Sequence, residues 1–238
     1  MKSTPDIELF LGTARLAPYL TCTDGDTHRA ADLYHWNTEF AGALHAQLCH
    51  VEILVRNAMD RALADWNVSK GYPREWSLQR STAPTLYKVT GTALSKARDR
   101  AGKNAKARAK EHERHGVDPT HDDVIAQLTF GNWSTLLGYT APVSKAAVAE
   151  LWRDALRHAF PNAHNNETGR HFIGTRMERL RNLRNRVSHH ENLLGVNPEH
   201  RLQDMMAVLA AIGPDHPTWA MARSRVRAVK KSDPRLQR

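Results

Sequence analysis

The chain has 238 residues, enough for one large domain or two small ones. With 41% hydrophobic and 25% charged residues it can bury a sizeable core, which excludes disorder as the main state. Its net charge of +9 points to an acidic partner, most often nucleic acid, and two cysteines, Cys22 and Cys49, exclude a disulfide framework.

The N-terminus lacks the apolar stretch of a signal peptide, and no run of about 18 apolar residues exists to span a membrane. The expectation is a cytoplasmic protein with no membrane partner. Residues 1–25 read as an N-terminal arm or short helix. From Ala31 to Trp66, Leu33, Trp36, Phe40, Leu44, Leu48, Val51, Val55, Met59 and Leu63 recur in steps of three and four. That is a buried helical stripe, on one long helix or two joined at a kink, capped by Asp26 or Thr27.

Lys70 to Thr92, with Gly71, Pro73, Pro84 and Gly91, reads as a loop with short helical pieces. Ala93 to Arg114 reads as an exposed helix, its eight Lys and Arg against three acids leaving a surplus of five positive charges. Thr120 opens a helix with Asp122 and Asp123 in its first turn, carrying Val124, Ile125, Leu128 and Trp133, interrupted at Gly131. Ser144 starts another, through Leu151, Trp152, Leu156 and Phe160, and 161–169 is a polar loop. His171 to about Asn192 is a helix with Phe172, Ile173, Met177, Leu180, Leu183 and Val187 on its buried face. Asn197-Pro198-Glu199 is a strong start signal for a helix running to Ile212 and ending at Gly213-Pro214. From Met221 the chain is basic, with Asp233 its only acid.

No internal repeat, alternating strand pattern or Gly/Ser linker divides the chain, so the expectation is a single all-α helical-bundle domain over 26–220 followed by a basic tail, 221–238. The 93–114 segment and the tail suit RNA-backbone contact through charge, with Lys96, Arg100, Lys103 and Arg181 as candidate RNA-binding residues. The plainer readings are a solvated face and a floppy tail.

The chemistry concentrates in 181–191, Arg-Asn-Leu-Arg-Asn-Arg-Val-Ser-His-His-Glu. An Arg holds a phosphate through its planar fork, and a His gives or takes a proton near neutral pH. Together they can break an RNA backbone without a metal. Asn185 and His189 share a helix face, but Arg184 and His189 lie about 140° apart on an ideal helix. They converge if the helix loosens near Ser188 or if two copies meet. The plainer reading is an amphipathic helix with solvated histidines. Glu52 and Arg56, four apart beside Val51 and Val55, read as a supporting pair that braces this helix or orients Arg184 or His189, with Asn57 beside them; the other readings are a purely structural pair and direct contact with RNA. No His-Glu-x-x-His, Cys/His zinc spacing, Gly-x-Ser-x-Gly or phosphate-cradling Gly-rich loop is present, so neither metal nor cofactor is expected.

Arg184-Asn185-x-x-x-His189 resembles the HEPN pattern, and the longer run resembles the Abi-like (abortive infection) branch of that superfamily. Tyr34-x-Trp36-Asn37 through Val51-Glu52-Ile53-Leu54-Val55-Arg56-Asn57-Ala58 is similar to that family's N-terminal helix. Leu128-Thr129-Phe130-Gly131-Asn132-Trp133 is similar to its central element, with Asn132 where an aromatic is expected. The resemblance implies a helical bundle, a homodimer and metal-independent endoribonuclease activity in phage defence, as a toxin-like effector held in check by an antitoxin or regulatory partner. Carried over by position, Arg184 and His189 are the catalytic pair, Asn185 helps arrange them, and His190 is a second His of the subgroup. The alternative is a non-catalytic RNA-binding or protein-interaction module of the same fold.

Overall fold

The computed structural model describes residues 7–138 and 144–236. The first six residues of the N-terminal arm and Arg238 of the basic tail lie outside them. Two short helices, α1 (Ile7–Leu11) and α2 (Thr13–Thr21), lead into α3 (Thr27–Ser69), an unbroken helix of 43 residues. Asp26 caps α3, accepting from the backbone N–H groups of His28 and Arg29 at 2.9 and 3.0 Å. All nine stripe residues from Leu33 to Leu63 are buried, so the helical period alone marks the side of α3 that faces the core.

After α3 the chain loops back, fastened by the buried Asn67. Its side chain donates to the carbonyls of Pro73 (2.5 Å) and Ser81 (2.8 Å) and accepts from the Ala83 N–H at 2.9 Å. The next helix, α4 (Pro84–Lys106), starts nine residues earlier than expected and stops eight earlier. Pro84 would break a helix interior, but at the first helical position its missing N–H has no helical partner to lose. Beyond Lys106 the chain makes turns, in which Arg108 and Arg114 both close on Asp123.

The expected helix from Thr120 is two short ones, α5 (His121–Ile125) and α6 (Phe130–Thr135). Each opens on a capping box, Thr120 with Asp123 and Thr129 with Asn132. That gives a physical reason for Asn132 where an aromatic was expected. The helix α7 (Lys145–Asp154) is capped by Ser144 and gives way to a 3₁₀ turn, Leu156–Ala159, so the helix does not continue to Phe160.

Two long helices follow, α8 (Glu167–Ser188) and α9 (Pro198–Ile212), packed against each other and against α3. Asn197 caps α9 with Pro198 at its first position, as the sequence predicts. The basic C-terminal segment is not a floppy tail. After α10 (His216–Met221), α11 (Val226–Lys231) and a 3₁₀ turn, Pro234–Leu236, return to α3. There Val226 and Val229 are buried, and the Trp36 indole N–H donates to the Val229 carbonyl at 2.7 Å. Asp233 is fully buried; burial raises its pKa, but hydrogen bonds from Arg235 and Lys230 prevail and hold it at about 2. No strand occurs among the described residues, and none of their helices is long and apolar enough to cross a membrane.

Candidate functional site

The motif lies at the C-terminal end of α8. Asn166 caps the start of this helix, accepting from the Gly169 N–H at 3.2 Å, and a Cβ at Gly169 would collide with the His164 carbonyl. Ile173, Met177, Leu180, Leu183 and Val187 are buried. Phe172, expected among them, is 39% exposed, with the Arg176 guanidinium stacked 3.5 Å from its ring centre.

The helix stops at Ser188 rather than running to Asn192. The His190 N–H donates to the Val187 carbonyl at 3.2 Å and the Glu191 N–H to the Arg186 carbonyl at 2.9 Å. These two bonds form a Schellman ending, with His190 at the left-handed position (φ 54°) that glycine usually takes. His189 is thereby set just beyond the helix, exposed, its N–H on the Asn185 carbonyl at 2.9 Å.

Residues far apart in the chain hold the loop that follows. Arg15 donates to the His190 carbonyl at 2.7 Å, and Arg235 to the Leu194 carbonyl at 3.1 Å. The buried Asn37 side chain accepts from the Leu193 N–H at 2.7 Å. Arg186 pairs with Glu191 at 3.3 Å and donates to the Asn192 carbonyl. The sequence assigned none of these four residues a role here. Asn37 carried a signal: a polar side chain beside the apolar stripe of α3 needs a buried partner. His189 and His190 line an open cleft of about 650 Å³ whose other wall is α2 and the residues before it. Tyr19, on that wall, stays protonated, its phenol pushed up to about 12 by burial and by Tyr34, with Arg15 opposing.

Arg184 lies on the stripe of Ile173, Met177 and Leu180, half-buried toward α3. Burial and the Glu52 charge raise the Cys49 thiol pKa, and the Arg184 charge lowers it, so Glu52 and Arg184 both act at one point on α3. Among the described residues Arg184 has neither a hydrogen bond nor an ion pair, and the same is true of Glu52. The expected Glu52–Arg56 pair does not form; Arg56 instead donates to the Asn57 side chain at 3.3 Å. Nor does any hydrogen bond join Arg184, Asn185 and His189 side chains within one chain.

The candidate RNA-binding residues divide. Lys96, Arg100 and Lys103 are exposed on α4, with Lys103 paired to Asp99 at 2.9 Å. Arg181 is occupied by the buried Glu178 at 2.5 Å, which also accepts from Ser134 at 3.5 Å, so this cluster docks α6 on α8. Ser77, His121 and Asp60 form a hydrogen-bonded chain of 2.7 and 3.0 Å resembling a hydrolase triad. Ser77 is fully buried, so the chain ties α3 to α5 and offers no accessible nucleophile. No three His, Cys, Asp or Glu side chains among the described residues group as a metal site.

No curated protein and no solved structure gave a match to the chain. One family model does match, that of the Abi-like proteins, over residues 23–195, a stretch that holds α3, the Thr129–Asn132 cap and the motif loop together. The match covers well over half of the chain, and this protein belongs to the Abi-like family.

Proposed function

We propose that the chain is a metal-independent endoribonuclease of HEPN type, acting in abortive infection as a phage-defence effector. The observation that carries this reading is the contrast at the end of α8. Among the described residues Arg184 is a half-buried guanidinium without an ion pair, and His189 is exposed on a loop fastened by four side chains. A half-buried cation with no ion pair favours an anionic ligand. A histidine fixed at a cleft suits proton transfer.

In this reading the RNA 2′-hydroxyl attacks the adjacent phosphorus and the bond to the 5′-oxygen breaks. A His removes the hydroxyl proton or protonates the leaving oxygen, and an Arg stabilises the charge on the pentacoordinate phosphorus. The products are a 2′,3′-cyclic phosphate and a 5′-hydroxyl. One chain offers one His189, set apart from its own Arg184. A homodimer that apposes two motif ends supplies two of each. The exposed strip of α3 beside Arg184, with Cys49 and Ile53, is the surface on which a second copy would sit. Glu52 then positions Arg184, and an antitoxin or other regulatory partner restrains the activity.

The test is incubation of purified protein with total and transfer RNA in excess EDTA, beside His189→Ala and Arg184→Ala. Cleavage by the parent that leaves cyclic-phosphate ends and falls at least about 100-fold in both variants is the expected result. Equal cleavage by all three would assign the activity to another site or to a contaminant.

A further inference from the structure

A second cleft borders the motif loop, enclosing about 350 Å³ between α8 and the start of α9. Arg179, Asn182 and Arg186 line it from one face of α8, at helical spacings of three and four, and His200 and Arg201 face them from α9. The charge there is unbalanced. The buried Asp204 is shared by Arg201 at 3.1 Å, Arg179 at 3.4 Å and Arg176 at 3.9 Å, and Glu191 meets Arg186. Four guanidinium groups thus face two carboxylates. Asp204 also holds its arginines in place before any ligand arrives, which lowers the ordering cost of binding an anion. The Arg179 side chain is 51% exposed, leaving donors of its fork open to solvent.

Beside these cations are two exposed groups suited to a base. The Asn182 side chain and the His200 ring have no hydrogen-bonded partner among the described residues. An amide can read a base edge and an imidazole can stack on a base face. Arg186 connects the cleft to the motif, since it also donates to the Asn192 carbonyl. We propose that this cleft is a nucleotide subsite for the RNA strand entering the cut. Arg179, Arg186 and Arg201 hold a backbone phosphate, and Asn182 and His200 contact its base. The proposal rests on the ribonuclease reading for its substrate, but its location is independent of His189.

The experiment measures binding apart from cleavage. In full-length His189→Ala protein, fluorescence anisotropy follows a labelled single-stranded RNA of mixed sequence over a salt series, with and without Arg179→Ala plus His200→Ala. Arg201 and Arg176 remain on Asp204, and an unchanged melting temperature verifies the fold. The expected result is affinity lower by about tenfold and a log–log salt slope shallower by about 0.7, one lost phosphate contact on a single strand. Asn182→Ala in the active parent should raise KM with kcat kept. Equal affinity and slope with and without the double change would overturn the subsite, and active parent protein would leave the ribonuclease reading standing. A parent that cuts nothing while the double change still weakens binding would overturn that reading and keep the subsite. Adenosine monophosphate competing as tightly as the RNA would overturn the strand assignment in favour of a free-nucleotide site.

Discussion

Around α4, Arg98 donates to the carbonyls of Ser77 and Leu78 and to the Thr82 hydroxyl, and Arg108 and Arg114 close on Asp123. At the end of α8, by contrast, Arg184 has no ionic partner among the described residues, and Arg179 shares one carboxylate with two other arginines. The first region has the greater surplus of positive charge in the sequence, yet Arg98 and Arg108 fasten backbone carbonyls, Arg114 meets a carboxylate, and Lys96, Arg100 and Lys103 stand exposed on α4. Each region borders a cleft, but Arg98 at the first is spent on three acceptors, whereas Arg179 at the second keeps donors open to solvent. Net charge therefore marks a basic protein, while donors left unsatisfied at a concave surface mark where an anion goes.

Substitutions can break this comparison, beginning with the largest effect. Arg184→Ala should lower RNA cleavage by at least about 100-fold and move the melting temperature by less than about 3 °C, because it removes no observed bond. A large drop in melting temperature would make Arg184 structural. Arg98→Ala should do the reverse. It strands three acceptors and should cost about 2–4 kcal/mol in denaturant unfolding, with kcat of the folded fraction unchanged.

Acid sharpens the same contrast. The Arg114 hydrogen bond holds Asp123 well below the ordinary carboxylate range, against a smaller opposing effect of burial. A lowered folded-state pKa gives stability that is present above the unfolded value, about 3.9, and lost as pH falls further. Unfolding midpoints taken from pH 6 to pH 2 should thus fall more steeply for the parent than for Asp123→Asn; parallel curves would remove the charge from the account. His190→Gly should stabilise by about 1 kcal/mol, since glycine adopts the left-handed C′ position without strain, and should keep cleavage. Loss of cleavage would bring His190 into the chemistry. The smallest effect is expected from Lys96→Ala, Arg100→Ala and Lys103→Ala together. RNA affinity should fall by only about threefold, and only at low salt, because solvated charges are well screened.

The helices with long apolar periods were legible in the sequence: α3 with its nine buried positions, and α9 with its Asn-Pro start. Short elements were not. α11 buries only Val226 and Val229, too few to show a period, and its charge hid it. The split between α5 and α6 turns on Thr129, whose partner Asn132 is not the usual Glu or Gln of a capping box. Phe172 lies one residue, about 100°, off the stripe of Ile173, Met177 and Leu180, and Arg176 covers its ring instead. At the candidate site, residue types and the family resemblance point to Arg184 and His189, the pair proposed above. What holds the loop after α8, Arg15 on 190, Asn37 on 193 and Arg235 on 194, joins residues too distant in sequence for any local pattern to signal.

The fastening of Leu194 by Arg235 also has a temporal side. Synthesis proceeds from the N-terminus, so the Arg-Asn-x-x-x-His motif is complete 46 residues before Arg235, one of the side chains that pin its loop, is added. Maturation of the motif loop is thereby tied to synthesis of Arg235. Premature termination before α11 yields a polypeptide with every motif residue present and the loop still short of one of its anchors.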